Sequence, residues 1–554
     1  MTSPGLFALT GVMVFAAPLT GQIRFEDVTK KANLHFTLNN GAAGAAHQIE
    51  MMPGGVAAFD FNNDGCIDIF FTNGATSPAL DKKAPVYWNR LYRNNCDGTF
   101  TDVTEKAGLA GYGYSNGVAA ADYDNDGFTD LFITGVDHNI LYRNRHDGTF
   151  EDVTKKAGLT GEDPKSGKAW SIAAGWFDAD NDGFLDLFVT NYVVWNAATE
   201  SPCGNADARF YCHPNNYTGT HNQIFRNNRD GTFSDMTTVS GIGAAVGKGM
   251  GVAFADFDGD GLMDVFVAND TMPNFLFHNL GGFRFREVGL EMGVALPENG
   301  RAIASMGVDF RDFDNDGWPD LTVTGMVNDS YQLFRNLGRM AGFDDFTAKG
   351  GLAAATRSLT GWAAALFDFD NDGWKDLFFA NAHFAELGRF LGAPEPLPNS
   401  VFRNTGGGRF EDVSASAGPD FRAPAFYRGA AFADFDNDGK VDVVVTAIGS
   451  EACLFRNVSA GQNHWAAFRL RGTKSNRDGI GARVRATLPS GKMLFNHVTT
   501  SVGYASSSEP VVRFGLGADT LMREVEITWP SGTVQRLKDV PAGRIVEVRE
   551  SGPD

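Results

Sequence analysis

DFDNDGWPD, residues 312–320, places a carboxylate at its first, third, fifth and ninth positions and a glycine at its sixth. Six near-copies surround it: DFNNDGCID (60–68), DYDNDGFTD (122–130), DADNDGFLD (178–186), DFDGDGLMD (256–264), DFDNDGWKD (368–376) and DFDNDGKVD (434–442). Successive copies start 62, 56, 78, 56, 56 and 66 residues apart. The chain is therefore an array of one unit, and that unit decides the fold.

Working outward from each copy, small and apolar residues come before it, as in GVAAAD (117–122) and GVAFAD (251–256). A β-branched or aromatic run comes after it, such as LFIT (131–134), LFVT (187–190), VFVA (265–268) or VVVT (443–446). A third run has the form LYRN (91–94, 141–144) or LFRN (454–457), and a G-x-F turn leads to a fourth, such as FTDVT (100–104) or FEDVT (150–154). Runs of this composition read as strands. Four strands in about 56 residues, repeated, predict the blade of a β-propeller. The seventh unit stops after its third strand. Its missing fourth is found as FEDVT at 25–29, ahead of the first loop. A chain that completes its last blade from its own start leaves no unpaired edge. The expected fold is all-β: a seven-bladed propeller with calcium-binding loops over 22–459, followed by a small β-rich domain over 460–554.

Oxygen donors at alternating positions of a tight loop suit a hard cation of calcium size. The expected ligands are Asp60, Asn62, Asp64 and Asp68 in the first loop, and Asp122, Asp124, Asp126 and Asp130 in the second. Asp178, Asp180, Asp182 and Asp186 follow in the third, and Asp256, Asp258, Asp260 and Asp264 in the fourth. The fifth brings Asp312, Asp314, Asp316 and Asp320, the sixth Asp368, Asp370, Asp372 and Asp376, and the seventh Asp434, Asp436, Asp438 and Asp442. Position seven would add only a backbone carbonyl, so its identity is free. It is Cys66, Phe128, Phe184, Leu262, Trp318, Trp374 and Lys440. Hydrogen-bonded turns account for one or two acidic positions, not four. Carboxylates about 4 Å apart repel by roughly 4 kcal/mol per pair at an effective dielectric of 20, so a bare cluster is costly. An EF-hand is excluded, because position twelve is an apolar strand residue (Phe71, Ile133, Val189, Val267, Val323, Phe379, Val445) and not Glu. The first loop, with Asn62, lacks one charge and is expected to bind more weakly.

These loops resemble the FG-GAP/VCBS repeats of integrin α-like propellers over roughly 22–459, which implies seven blades with calcium in the loops joining their first and second strands. Beyond 460, NRDGIGARV (476–484), FGLG (514–517) and EITWPSGTVQ (526–535) resemble the ASPIC/UnbV domain. That pairing is found in cartilage acidic protein-like chains and brings no established reaction.

The composition agrees. Of 554 residues, 67 are acidic and 47 basic, a net charge of −20. Three carboxylates in the first loop and four in each of the others account for 27 of the 67, so the rest of the chain is mildly basic. Up to seven Ca²⁺ would bring the charge to −6. Such acidity argues against nucleic acid or an anionic membrane as a partner. An apolar run from Gly5 to Ala17 has the length of a signal-peptide core and is too short to span a bilayer. Residues 1–21 are therefore expected to be an export signal, and the protein secreted or periplasmic. Cys203 and Cys212 flank a short polar segment that a disulfide could close. Cys66 and Cys96 fall on one predicted face of the first blade and allow a second bridge. Cys453 is left free and buried.

No H-E-x-x-H, C-x-x-C or phosphate loop is present. Successive loops of an antiparallel blade fall on opposite faces. The acidic loops and G-x-F turns share one, and the longest insertions (74–90, 193–222, 383–400) share the other. Asn73, Asn191, Asn269 and Asn381 recur at the ends of second strands, with Tyr192, Trp195, Tyr211, Tyr217 and Phe384 near the insertions, so that face is either the place for a ligand or simple loop padding. The expected function is a calcium-stabilised binding or adhesion module for a protein or glycan. The alternative is a secreted hydrolase or lyase with its site on the insertion face.

Overall fold

The computed structural model describes residues 23–163, 167–200, 203–205, 208–384 and 394–551. The expected export signal at 1–21 and the middle of the 383–400 insertion lie outside the described residues.

Each unit folds as its runs dictate. Around the second acidic loop, Tyr114–Ala121, Asp130–Val136, Ile140–Asn144 and Phe150–Asp152 pair in that order as an antiparallel sheet. Among the described residues, seven four-stranded sheets of this kind lie between Phe25 and Asn457. The seventh is built from Tyr427–Ala433, Asp442–Ala447 and Cys453–Asn457. It takes its fourth strand from the start of the chain: Phe25–Asp27 runs antiparallel to Cys453–Asn457, with Phe25 opposite Asn457 and Asp27 opposite Phe455. The first strand of each sheet packs on that of the next, and that of the seventh returns to that of the first. The result is an all-β, propeller-like ring.

Small residues let these inner strands converge. A Cβ on Gly55 would lie 2.6 Å from the Cα of Gly117, and one on Gly117 would lie 2.4 Å from the carbonyl oxygen of Ile172. The sheets are also tied edge to edge. The asparagine ending each third strand donates Nδ2–H to a backbone carbonyl of the preceding sheet. Asn144 reaches Phe61, Asn227 reaches Tyr123, Asn279 reaches Ala179, Asn336 reaches Phe257, Asn404 reaches Phe313 and Asn457 reaches Phe369. Asn94 reaches Phe435 of the seventh sheet at 3.0 Å and completes the circle. Buried polar groups satisfied in this way fix the register of neighbouring sheets.

Residues 464–549 form two further sheets. His464–Arg471 lies between Val511–Gly517, antiparallel, and Arg544–Arg549, parallel. The other sheet runs Met493–His497, Arg483–Thr487, Leu521–Thr528, Val534–Pro541. Between His497 and Val511 the chain leaves this unit and enters the middle of the ring. Ser507 bonds Val56 and Ala58 of the first sheet, and Ala505 accepts from Val118 of the second. Ser501 donates to Val252 of the fourth sheet, and Gly503 exchanges two hydrogen bonds with Val308 of the fifth. Tyr504 packs edge-on against Trp362 of the sixth, and Ser508 accepts from Phe432 of the seventh. Gly175 of the third sheet lies against Ser501. The Tyr504 ring is fully buried and its hydroxyl donates to the Met52 carbonyl at 2.9 Å. This segment fills the axis from the face that carries the acidic loops.

Candidate metal centres

Two left-handed residues wrap each loop. Position six is always glycine, with φ between 86° and 98° across the seven copies, and position four is Asn63, Asn125, Asn181, Asn315, Asn371 or Asn437 at φ 56–60°, or Gly259 at 79°. Asparagine tolerates that region better than other side-chain-bearing residues. Its recurrence at position four is a signal the sequence reading passed over.

The expected ligands divide by role. The position-one carboxylate accepts the backbone N–H of the position-six glycine in every loop, as Asp122 does from Gly127 at 2.7 Å and Asp178 from Gly183 at 2.9 Å. The position-nine carboxylate clamps the base of the loop. Asp130 accepts from the N–H of Tyr123 through one oxygen and from that of Asn144 through the other, and Asp186 and Asp376 repeat this. The position-five carboxylate accepts from the N–H of position seven, as Asp126 does from Phe128. The position-three carboxylate points inward. Asp124, Asp180, Asp370 and Asp436 each hold a buried Oδ1 with no hydrogen-bond partner. In the second, third and fourth loops the donor oxygens of positions one, three and nine lie within 4.8 Å of one another.

Burial, reinforced by the neighbouring carboxylates, pushes these acids upward. Asp122 rises to about 8 and Asp178 to about 7, while Asp130, Asp186, Asp264, Asp320, Asp376 and Asp442 are held well above the carboxylate range. Such clusters take up protons or cations to relieve their charge. Hard oxygen donors, orphaned Oδ1 atoms and crowded carboxylates fit a divalent cation of calcium type.

Sequence reading missed the basic partner of each cluster. Arg143 pairs with Asp124 at 2.7 Å and Asp126 at 3.2 Å, and Arg226 with Asp180 at 2.7 Å. Arg335 pairs with Asp314, Arg403 with Asp370 and Asp372, and Arg456 with Asp436. His278 takes this place in the fourth loop, 3.1 Å from Asp258. The signal was the repeated Arg-Asn of the third strands. The first loop differs. Asn62 donates to Asp64 at 2.8 Å, Arg93 turns to Asn95, and Cys66 is disulfide-bonded to Cys96. The C-terminal unit reaches the same face: Arg483 pairs with Asp256 at 2.9 Å, Arg513 with Asp434 at 3.3 Å, and Asp478 accepts from the N–H of Asp122.

On the insertion face, Cys203 is bonded to Cys212. Asn73, Asn191, Asn269 and Asn381 do not present themselves to a ligand. They are buried brackets that donate to Trp88, His221, Pro273 and Pro398 and hold the insertions down. Tyr192 is fully buried, Trp195 is buried, and Tyr211, Tyr217 and Phe384 are half-buried. Glu200 accepts from His47, from the Gln48 N–H and from the Tyr217 hydroxyl, bracing the 193–222 insertion onto residues 47–48. Cys453 is free, as expected, but half-buried rather than buried, because it sits on the third strand beside the short closing strand.

An FG-GAP-like repeat model matches residues 60–133, 125–189, 210–267, 256–323, 312–379 and 381–445, and an ASPIC and UnbV model matches 472–553. Cartilage acidic protein 1 of Homo sapiens is 28% identical over 327 residues, 57% of this chain and 46% of that protein. The Mus musculus protein of that name is 30% identical over 295 residues, 51% of this chain and 42% of its own length. The chain thus spans less than half the length of these curated relatives. Two solved structures resemble the fold distantly. One is an Agrocybe aegerita lectin described as recognising non-reducing terminal N-acetylglucosamine, with TM-score 0.39 and 17% identity over 67% of this chain and 81% of that one. The other is YCF48 bound to D1 peptide, with TM-score 0.41 and 9% identity over 80% and 100%. Likeness at this level carries no argument about ligands.

Proposed function

Because the chain belongs to the FG-GAP-like repeat family and joins those repeats to an ASPIC and UnbV segment, we propose that it is a secreted or periplasmic, calcium-stabilised, seven-bladed β-propeller. In this reading residues 1–21 are an export signal, 22–459 the propeller and 460–554 the C-terminal domain. It serves as a binding or adhesion module for a protein or glycan. The observation that carries the calcium reading is the set of buried, unpartnered Oδ1 atoms on Asp124, Asp180, Asp370 and Asp436, each within a cluster of carboxylates. Positions one, three, five and nine of each loop would hold the ion, up to seven in all, with the first loop, where Asn62 replaces an Asp, weakest. A bound divalent cation neutralises the cluster and locks the turn between the first and second strands. Two disulfides suit an oxidising compartment. No described helix is long and apolar enough to cross a membrane.

The ligand belongs on the insertion face, since the C-terminal unit covers the acidic loops and fills the axis. A cleft of about 630 Å³ there is walled by Trp195, Asn196, Glu200 and Tyr217 and bounded by the Cys203–Cys212 bridge. Screening the purified protein on glycan arrays, with generic hydrolase and lyase substrates in parallel, tests this. Saturable binding without turnover supports the module, and turnover of a substrate shows an enzyme instead.

A further inference from the structure

Five junctions between neighbouring acidic loops are bridged alike. The position-four asparagine donates its side-chain N–H to the carbonyl of the position-six glycine of the next loop: Asn63 to Gly127, Asn125 to Gly183, Asn181 to Gly261, Asn315 to Gly373 and Asn371 to Gly439, at 2.8–3.3 Å. In the fourth loop that position is Gly259, which has no amide to offer Gly317. Trp318 leans over the gap, so that a Cβ on Gly259 would lie 3.1 Å from its ring. At this junction, beneath the C-terminal strands Arg483–Thr487 and Met493–His497, a cavity of about 230 Å³ opens.

Its lining is of three kinds. Trp318, Pro319 and Phe495 give apolar and aromatic surface, Arg483 and Arg485 give two guanidinium groups, and Asp256, Asp312 and Glu526 give carboxylates. Arg483 is held by Asp256 at 2.9 Å and Arg485 by Glu526 at 3.1 Å. Each of these pairings fixes a side chain that carries five N–H donors, which leaves donors for a ligand. Of the floor carboxylates, Asp312 is held in its own loop by the N–H of Gly317, and the Oδ2 of Asp256 is shared between the N–H of Gly261 and Arg483. A concave space at the boundary of two units, with rings on one side and fixed guanidinium groups on the other, is suited to a ring that bears an anion.

We infer that this cavity is a binding site for a small aromatic carboxylate, its carboxylate on Arg483 and Arg485 and its ring against Trp318 and Phe495. The site is separate from the insertion face.

Calorimetry of the full chain with indole-3-acetate, and with indole-3-ethanol as its uncharged counterpart, tests the inference. One saturable site per chain is expected, with the alcohol at least roughly ten-fold weaker, since a charge-assisted hydrogen bond contributes about 1.5–3 kcal/mol. Arg485→Gln should weaken the acid by a similar factor. Gly259→Asn should abolish binding, because its side chain displaces the Trp318 ring that lies 3.1 Å from its Cβ position and offers Gly317 the bridge seen at five other junctions. Failure of the acid to saturate, equal affinity for acid and alcohol, or undiminished binding by Gly259→Asn would each overturn the assignment.

Discussion

In the second acidic loop Arg143 reaches two carboxylates and Phe128 stacks on His146 with ring centres 4.2 Å apart. In the first loop Asn62 stands where Asp124 does, Arg93 turns away, and a disulfide from Cys66 to Cys96 occupies the place of the Phe128–His146 contact. The third loop uses Arg229 over the Phe184 ring at that place, 5.2 Å away. Both solutions pin position seven of the loop to the turn between the third and fourth strands. One does it by a covalent bond that is indifferent to calcium. The others rely on side-chain contacts around a crowded anionic cluster, whose repulsion the proposed calcium would relieve. The loop with the missing charge is the loop with the bridge.

The largest effect that would break this contrast is removal of the bridge. Replacing Cys66 and Cys96 together by Ala releases a closure spanning 30 residues, for which chain entropy predicts about 3–4 kcal/mol. Denaturant melts should show that loss equally with calcium and with chelator. A loss that excess calcium restores would mean that the first loop is held as the others are.

A second test concerns the sheets that the C-terminal unit ties down, of which the fourth is the clearest. Beside its loop, His497 is buried and its Nε2 lies 3.1 Å from the Phe254 carbonyl. Burial, with Arg311 nearby, depresses its titration to about 3. The folded protein therefore resists protonating a group that the unfolded chain protonates below about 6.5, so stability falls as pH falls through that value. Between pH 7 and pH 5 the loss from this residue is about 2 kcal/mol. His497→Gln, which keeps an N–H donor for Phe254, should flatten that part of the pH profile. An unchanged slope would show that His497 is not buried in this way in solution.

The smallest effects convert one kind of loop toward the other. Asp370→Asn makes the sixth loop resemble the first without its bridge, while Arg403 keeps Asp372. At roughly 1 mM calcium, with site constants of about 0.1–1 mM, linkage gives about 0.4–1.4 kcal/mol per site. Melting in calcium should fall by that amount and in chelator hardly at all. The reverse change, Asn62→Asp, should add a few tenths of a kcal/mol in calcium only, within the range linkage allows for one weak site. An equal cost of Asp370→Asn in chelator would assign the sixth loop to turn geometry alone.

Much of this contrast was legible in the sequence. The Asp spacing located the seven loops, the stray FEDVT at 25–29 located the closing strand, and the cysteine positions located both bridges. What escaped was geometry that only the ring creates. Arg143 and its equivalents lie on the third strand and reach loop carboxylates 17 or more residues earlier in sequence, so strand periodicity alone does not expose the pairing. Asn73 and its equivalents looked like ligand-facing residues because they end strands on the insertion face, yet their amides are consumed by the backbone of those insertions. The axial segment 498–510 is rich in Ser and Thr and has no periodicity. Its conformation is imposed by seven inner strands spread over some 380 residues, and no local pattern announces it.

That calcium holds the acidic loops is our proposal. It is tested most directly by stripping the full chain with a chelator and titrating calcium back, following heat uptake by calorimetry and the melting temperature on the same sample. Up to seven sites at about 0.4–1.4 kcal/mol each predict a gain on the order of 3–10 kcal/mol at roughly 1 mM calcium, comparable with the whole stability of an ordinary domain at about 5–15 kcal/mol. Uptake of several ions is expected, with the first loop filling last and the melting temperature climbing by many degrees as they bind. No heat of uptake and an unmoved melt would contradict it, and the loops would then be turns and nothing more.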